Sequence, residues 1–253
     1  MASATLQHLT RTGIERWLRE GDEARIEELW QAADETRRRN VGDAVHLRGL
    51  IETSNHCVRQ CGYCGLRAGN RDLQRYRMSV EEILECAHKG KTFGYGTVVL
   101  QAGEDYGIKT AWLADVVRRI KQETGLAVTL SMGERPDADL LAWREAGADR
   151  YLLRFETSDP ELYALIHPDL PGRPSDRFAI LRTLSAMGYE AGSGIMVGIP
   201  GQTYTSVAGD ILEFRDLDLD MIGVGPYIAH PATPLGDHSW IRSIDPRDQI
   251  PSD

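Results

Sequence analysis

Beyond residue 44, short apolar runs alternate with longer amphipathic ones along the chain. The short runs, His46–Glu52, Thr97–Gln101, Ala127–Ser131, Tyr151–Phe155, Gly194–Gly198 and Met221–Tyr227, have the length of strands. Ser79–Phe93, Thr110–Thr124, Asp137–Ala146, Asp159–Ile166, Asp176–Met187 and Tyr204–Asp216 carry apolar residues at helical spacing. Ser79 stands three residues before Glu82, and Ser158 three before Glu161, which marks each pair as a capping box. Strand and helix in repeated alternation predict an α/β fold with a parallel sheet and helices outside it. Its natural form is a (β/α) barrel, with an open doubly wound sheet as the alternative. A complete barrel needs eight strands. Six are readable here, so the barrel is expected to be incomplete toward the C-terminus.

The two ends read differently from this core, which we place at residues 45–235. Residues 1–44 form a helical extension. Ile14, Leu18, Ile26, Leu29 and Trp30 fall near a helical period, with a break near Gly21. These helices are expected to lay an amphipathic face on the core, with the floor of the barrel as one place for them. Residues 236–253 show neither period and form an irregular or truncated tail.

Composition narrows the function classes. The chain has 253 residues, 42% hydrophobic and 26% charged, with a net charge of −9. That charge argues against nucleic acid or an anionic membrane as partner. No apolar run is long enough to span a bilayer, and the start lacks a secretory apolar stretch, so a cytoplasmic location is expected. Of four cysteines, three fall within eight residues. Clustered thiols in such a chain point to metal or redox chemistry rather than to disulfides.

The cluster reads Cys57-Val-Arg-Gln-Cys61-Gly-Tyr-Cys64, with an aromatic residue before the last cysteine. Three soft thiolates on one tight loop suit three corners of an iron–sulfur cubane and leave the fourth iron open. The alternative is structural zinc with His56 or His88 as fourth ligand, but a second paired-ligand knuckle is missing. Cys86 falls mid-helix and is expected to be a small buried apolar residue. The glycine-rich run Gly192–Gly201 permits close backbone approach to a flat ligand, or simply packs a strand around a turn.

Together with RGLIETSNHCVRQCGYCGLRAGN, RYRMS, VVLQAGEDYG, TLSMGERPD, EAGADRYLLRFET, GIMVGIPGQT and DMIGVGPYIAHPATPL, this motif resembles the radical SAM superfamily. Within that superfamily the string of segments is similar to the HydE-type [FeFe]-hydrogenase maturases, with biotin synthase and methylornithine synthase nearby. The resemblance implies a radical SAM barrel with a [4Fe–4S] cluster on Cys57, Cys61 and Cys64. It implies reductive cleavage of S-adenosylmethionine (SAM) there to a 5′-deoxyadenosyl radical. It carries SAM contacts onto Gly103, Glu104, Glu156 and Arg177, with Arg177 matching the arginine that meets the SAM carboxylate. Arg173 in the neighbouring PGRPS segment is the other candidate for that role.

For a substrate cavity inside the barrel, Thr129 and Ser131 share one face of a strand, as do Arg150 and Arg154. The resemblance makes the two arginines an anion site and gives Met221 a place in the cavity wall. Phe155 departs from the histidine expected in HydE-type chains, and its side chain is expected to face away. The implied role is hydrogenase maturation on an organometallic or small-molecule substrate, with a low-potential electron donor and other maturases as partners. The alternatives are a methylornithine synthase-like lysine mutase, a HydE-like enzyme with another substrate, or an inactive binding member. Biotin synthase would need further barrel cysteines, which Cys86 alone cannot supply.

Overall fold

Leu130 on one strand and Trp143 on the following helix have no exposed surface, and the architecture is built on such pairings. The computed structural model describes residues 10–237, 239–240, 244–245 and 247–251. Six parallel strands lie in chain order: β1 (Arg48–Ser54), β2 (Thr97–Ala102), β3 (Ala127–Ser131), β4 (Arg150–Leu152), β5 (Glu190–Val197) and β6 (Met221–Pro226). Among the described residues β1 and β6 are the two edges of this sheet.

Eight helices complete the described chain: α1 (Arg11–Leu18), α2 (Glu23–Val41), α3 (Val80–Thr92), α4 (Thr110–Thr124), α5 (Asp137–Glu145), α6 (Pro160–Ile166), α7 (Arg177–Ala186) and α8 (Tyr204–Asp216). Period-2 alternation sends Val98, Leu100, Val128 and Leu130 to the helix side, where they meet Leu113, Val117 and Ile120 of α4 and Ile83 of α3. The opposite face of the strands is left to line cavities.

Local chemistry sets the helix ends. The Ser79–Glu82 capping box opens α3 as its spacing predicts, and Gly125 in the left-handed region closes α4. The Ser158–Glu161 box does not form. Asp159 caps α6 instead, accepting from Glu161 and Leu162 N–H, with Pro160 in the first helical turn. A capping box without the usual Glu or Gln, Thr203 with Ser206, opens α8.

Strand β4 is shorter than its apolar run. The Ser193 hydroxyl donates to the Leu153 carbonyl at 2.7 Å and accepts the Phe155 N–H at 3.1 Å. A side chain thus enters the ladder where backbone would pair, and regular pairing stops at Leu152. Glu156 then adopts a positive φ of 64°.

The N-terminal helices break as expected but do not floor the barrel. Helix α1 buries Ile14 and packs on α8. Helix α2 buries no residue, so it does not lay an apolar face on the core. Among its described residues the tail forms neither helix nor ladder strand, yet it is attached: Gln249 bridges Thr203, and Ile250 is buried in the main core. No described helix is long and apolar enough to cross a membrane.

Candidate active site

The cysteine loop leaves the C-terminal end of β1 and is fastened by side chains on both flanks. Ser54 Oγ donates to Asp105 Oδ2 at 2.7 Å, and Arg77 donates to both oxygens of the same carboxylate. Asn55 accepts from Tyr76 N–H and donates to the Gln74 carbonyl. Arg75 donates to the carbonyls of Leu66 and Arg67, each at 2.8 Å. The RYRMS segment therefore works as a clamp on the loop. At Gly103 a side chain would run into the His56 carbonyl and, at 2.9 Å, the Cys57 Cβ. Only glycine lets β2 end this close to the cysteines.

Cys57, Cys61 and Cys64 are free thiols that line one cavity of about 230 Å³ at the C-terminal ends of the strands. Burial pushes all three thiols above their ordinary range, Cys61 to about 12. Metal loading must therefore displace protons. Tyr63, half-buried in the same wall, is also held neutral by desolvation of its hydroxyl. Among the described residues no three His, Cys, Asp or Glu side chains form a group that could hold a metal ion. Ligands to separate corners of a cubane need not converge on one point as ligands to a single ion do. His88 is committed elsewhere, 3.0 Å from Glu123 between α3 and α4.

Gly103, Glu104, Glu156 and Arg177 line the same cavity, as do Ser131 and Arg154. Arg173 is exposed, with its guanidinium over the Tyr106 ring, so Arg177 is the arginine at the cavity. Glu156 Oε2 and Arg154 Nε lie 3.3 Å apart as an ion pair, but neither atom has a hydrogen-bond partner although both are buried. Such orphaned groups are what a polar ligand would satisfy. Burial pushes the Glu156 carboxyl up, while Arg154 and Arg177 pull it down. The donor set therefore fits the two groups expected here: three thiols on one loop for a cluster, and a carboxylate and a guanidinium beside them for SAM.

A chain of four buried charges runs through the cavity wall, with Arg59, Glu104 and Arg177 lining it and Glu134 behind. Arg59, inside the cysteine loop, donates to Glu104 at 2.9 Å and to Glu134 at 2.7 Å. Arg177 donates to the other oxygen of Glu134 at 2.9 Å. The Glu104 carboxylate also accepts from Tyr106 and from the Glu134 N–H. Its oxygens are thus engaged within the protein, and its carbonyl also holds the loop by accepting the Val58 N–H. Neither Arg59 nor Glu134 stood out in the sequence. Both lie inside segments that carry the family resemblance, but their pairing spans 75 residues.

Other expected residues fall elsewhere. Arg150 pairs with Glu190 and lines a second cavity with Arg48 and His46 at the N-terminal ends of the strands, so Arg150 and Arg154 do not share one site. The irregular chain after Leu152 separates them. Thr129 is buried with an unpartnered hydroxyl, and Met221 accepts from Arg48 at 3.3 Å; neither lines the cysteine cavity. Phe155 faces away as expected, stacked on Phe178 with ring centres 5.0 Å apart. Cys86 is exposed on α3, not buried, because the apolar stripe of that helix runs through Ile83, Leu84 and Ala87.

A parallel β/α sheet with a three-cysteine loop at the C-terminal end of its first strand defines a class, and residues 51–214 match the model of the radical SAM superfamily. The chain belongs to that superfamily, whose members use a [4Fe–4S] cluster and SAM. It is 47% identical over 231 residues to the [FeFe] hydrogenase maturase subunit HydE of Thermotoga maritima, covering 91% of this chain and 66% of that one. A 3-methylornithine synthase of Methanosarcina acetivorans is 32% identical over 84% of this chain and 60% of its own length. The fold matches a crystal structure of methylornithine synthase with a TM-score of 0.85 at 27% identity, over 99% of this chain and 73% of that one. The chain thus spans somewhat less than two thirds of the two sequence relatives.

Proposed function

We propose that the cysteine cavity is a SAM-cleaving radical site and that its role is hydrogenase maturation of the HydE type. One observation carries this reading: three free thiols, Glu156 and Arg177 line a single cavity at the C-terminal ends of the strands. When bound, the cluster supplies the electron that breaks a carbon–sulfur bond of SAM and releases the 5′-deoxyadenosyl radical.

The protein's own residues bind, orient and exclude water. Cys57, Cys61 and Cys64 would hold the cluster. Arg177 keeps two of its five N–H groups free after bonding Glu134, His167 and the Arg154 carbonyl, enough to receive a carboxylate. Glu156 offers an unsatisfied oxygen to a hydroxyl or ammonium group. The ion pair between Arg154 and Glu156 supports assigning Arg154 to the SAM side of the cavity as well as to the substrate. Half-buried Tyr63 and Leu66 help keep water off the wall. The substrate in this reading is organometallic or a small molecule, supplied in concert with other maturases and a low-potential electron donor.

The higher identity to HydE than to methylornithine synthase favours maturation. The fold match to methylornithine synthase keeps a lysine rearrangement as the second reading. The test is anaerobic reconstitution followed by incubation with SAM and dithionite. The expected product is 5′-deoxyadenosine, seen by mass spectrometry and lost in Cys57→Ser, Cys61→Ser and Cys64→Ser variants. Zinc in place of iron and sulfide, or cleavage that survives those substitutions, overturns the reading. Conversion of lysine would select the second.

A further inference from the structure

We propose that Glu134 is a positioning residue for SAM: it sets the Arg177 guanidinium in register with the cysteine loop. The inference rests on the SAM-site reading above and adds to it a residue outside the expected SAM set. Glu134 lies just past the end of β3 and its side chain is 9% exposed. Each of its oxygens has a fixed task. Oε2 accepts from Arg59, which belongs to the cysteine loop, at 2.7 Å. Oε1 accepts from Arg177 Nε at 2.9 Å and from Ser175 Oγ at 2.6 Å.

No other described carboxylate bonds both the loop arginine and Arg177. The remaining partners of Arg177 are weaker anchors. His167 Nε2, at 2.6 Å, is a neutral acceptor, since burial and the nearby Arg177 and Arg59 hold this imidazole down to about 2. The Arg154 carbonyl belongs to the irregular chain after β4. A guanidinium is a planar fork, so fixing Nε by an anionic acceptor fixes the direction of both Nη groups. Because Glu134 also bonds Arg59, that direction is referred to the loop that carries the thiols. The distance between a carboxylate on Arg177 and a cluster on the cysteines is then set through one side chain.

The discriminating probe is decarboxylated SAM, which keeps the sulfonium and adenosine but lacks the group that Arg177 would hold. Reconstituted parent protein and Glu134→Gln are compared by equilibrium dialysis with SAM and with decarboxylated SAM, and iron content is measured in parallel. Replacing the anionic acceptor by a neutral isostere is expected to weaken SAM about tenfold while leaving decarboxylated SAM unchanged. The reduced cluster's EPR signal should show a smaller SAM-induced shift at equal iron content. Ser175→Ala, which removes one donor to the same oxygen, should weaken SAM about threefold and serves if the first variant does not fold. Equal weakening of both ligands, or none for SAM, in whichever variant folds overturns the proposal. A parent protein that binds neither ligand overturns the underlying SAM-site reading instead.

Discussion

Two sets of arginine–carboxylate pairs in this molecule share one chemistry and differ in everything around it. On α2, Asp34 is bridged by Arg37 and Arg38, and Glu35 by Arg39, with side chains 43–70% exposed. At the cavity, Glu104, Arg59, Glu134 and Arg177 alternate in sign with side chains 3–9% exposed. The α2 pairs are three or four residues apart and follow from helix geometry alone. The buried pairs span 45, 75 and 43 residues, so they exist only because the fold brings the segment after β2, the cysteine loop, the segment after β3 and α7 together. An exposed charge that loses its partner turns to water. A buried one cannot, so each member of the quartet depends on the others.

The largest effect follows from removing a charge that serves two partners. Arg59→Ala strands the Glu104 and Glu134 carboxylates in the interior. The expected loss is about 3–5 kcal/mol in urea unfolding of the protein without its cofactors. A loss no larger than that of a surface substitution would mean water reaches the quartet, and the comparison would fail at its base.

The contrast also explains what was legible in the sequence. The spans of α4 and α8 and the presence of six strands follow from local periodicity, because spacing within one element decides them. Strand β3 occupies the expected residues for that reason. That the cysteines, Glu156 and Arg177 share one cavity was legible through motif and resemblance. The early end of β4 was not legible, because the Ser193 hydroxyl that interrupts it comes from a neighbouring strand. Arg59 and Glu134 were invisible for the same reason on a larger scale: each reads as an ordinary loop charge until its partner arrives. Arg150 and Arg154 share a face only if the strand continues between them, and it stops at Leu152.

A third case sharpens the comparison by separating burial from countercharge. Asp210 has no exposed surface, and its carboxylate accepts only from neutral donors, Ser158 N–H and Oγ and Thr157 Oγ. Burial raises its carboxyl to about 6 from an ordinary 3.8. Folded protein then holds a proton between those values that the unfolded chain has released. Its contribution to stability is full below about pH 4 and is lost as pH rises through about 6, by roughly 3 kcal/mol. The difference in unfolding free energy between Asp210→Asn and the parent should move in favour of the variant by that amount from pH 4 to pH 7. His167 works with the opposite sign: held neutral to about 2 when folded, it costs stability as pH falls below its ordinary 6.5. The two slopes oppose each other in the parent, so the variant should show the acid loss more openly. A flat difference would show Asp210 titrating as a solvated acid, and burial alone would no longer distinguish the two regions.

Salt separates the two sets without mutation. Exposed pairs are screened at 1 M NaCl, where the Debye length is about 3 Å, and the buried quartet is screened much less. In the parent and in Arg59→Ala the salt response of unfolding should therefore be alike. A large salt-dependent gap between them would place the quartet in solvent.

The smallest effect belongs to α2. Hydrogen bonding to Arg37 holds the Asp34 carboxyl below its usual range, yet the group lies on the surface, so losing the interaction mainly exchanges one partner for water. Helix α2 buries no residue, and no core contact depends on its charge pattern. Asp34→Asn is expected to move Tm by no more than about 1 °C, with SAM cleavage unchanged. A larger fall would show that the Arg37 and Arg38 bonds to both Asp34 and Asp43 act as a network that holds the end of α2 to the chain leading into β1. That result would make the exposed ladder a structural tie in its own right, and the division by burial would have to be redrawn as a division by connectivity.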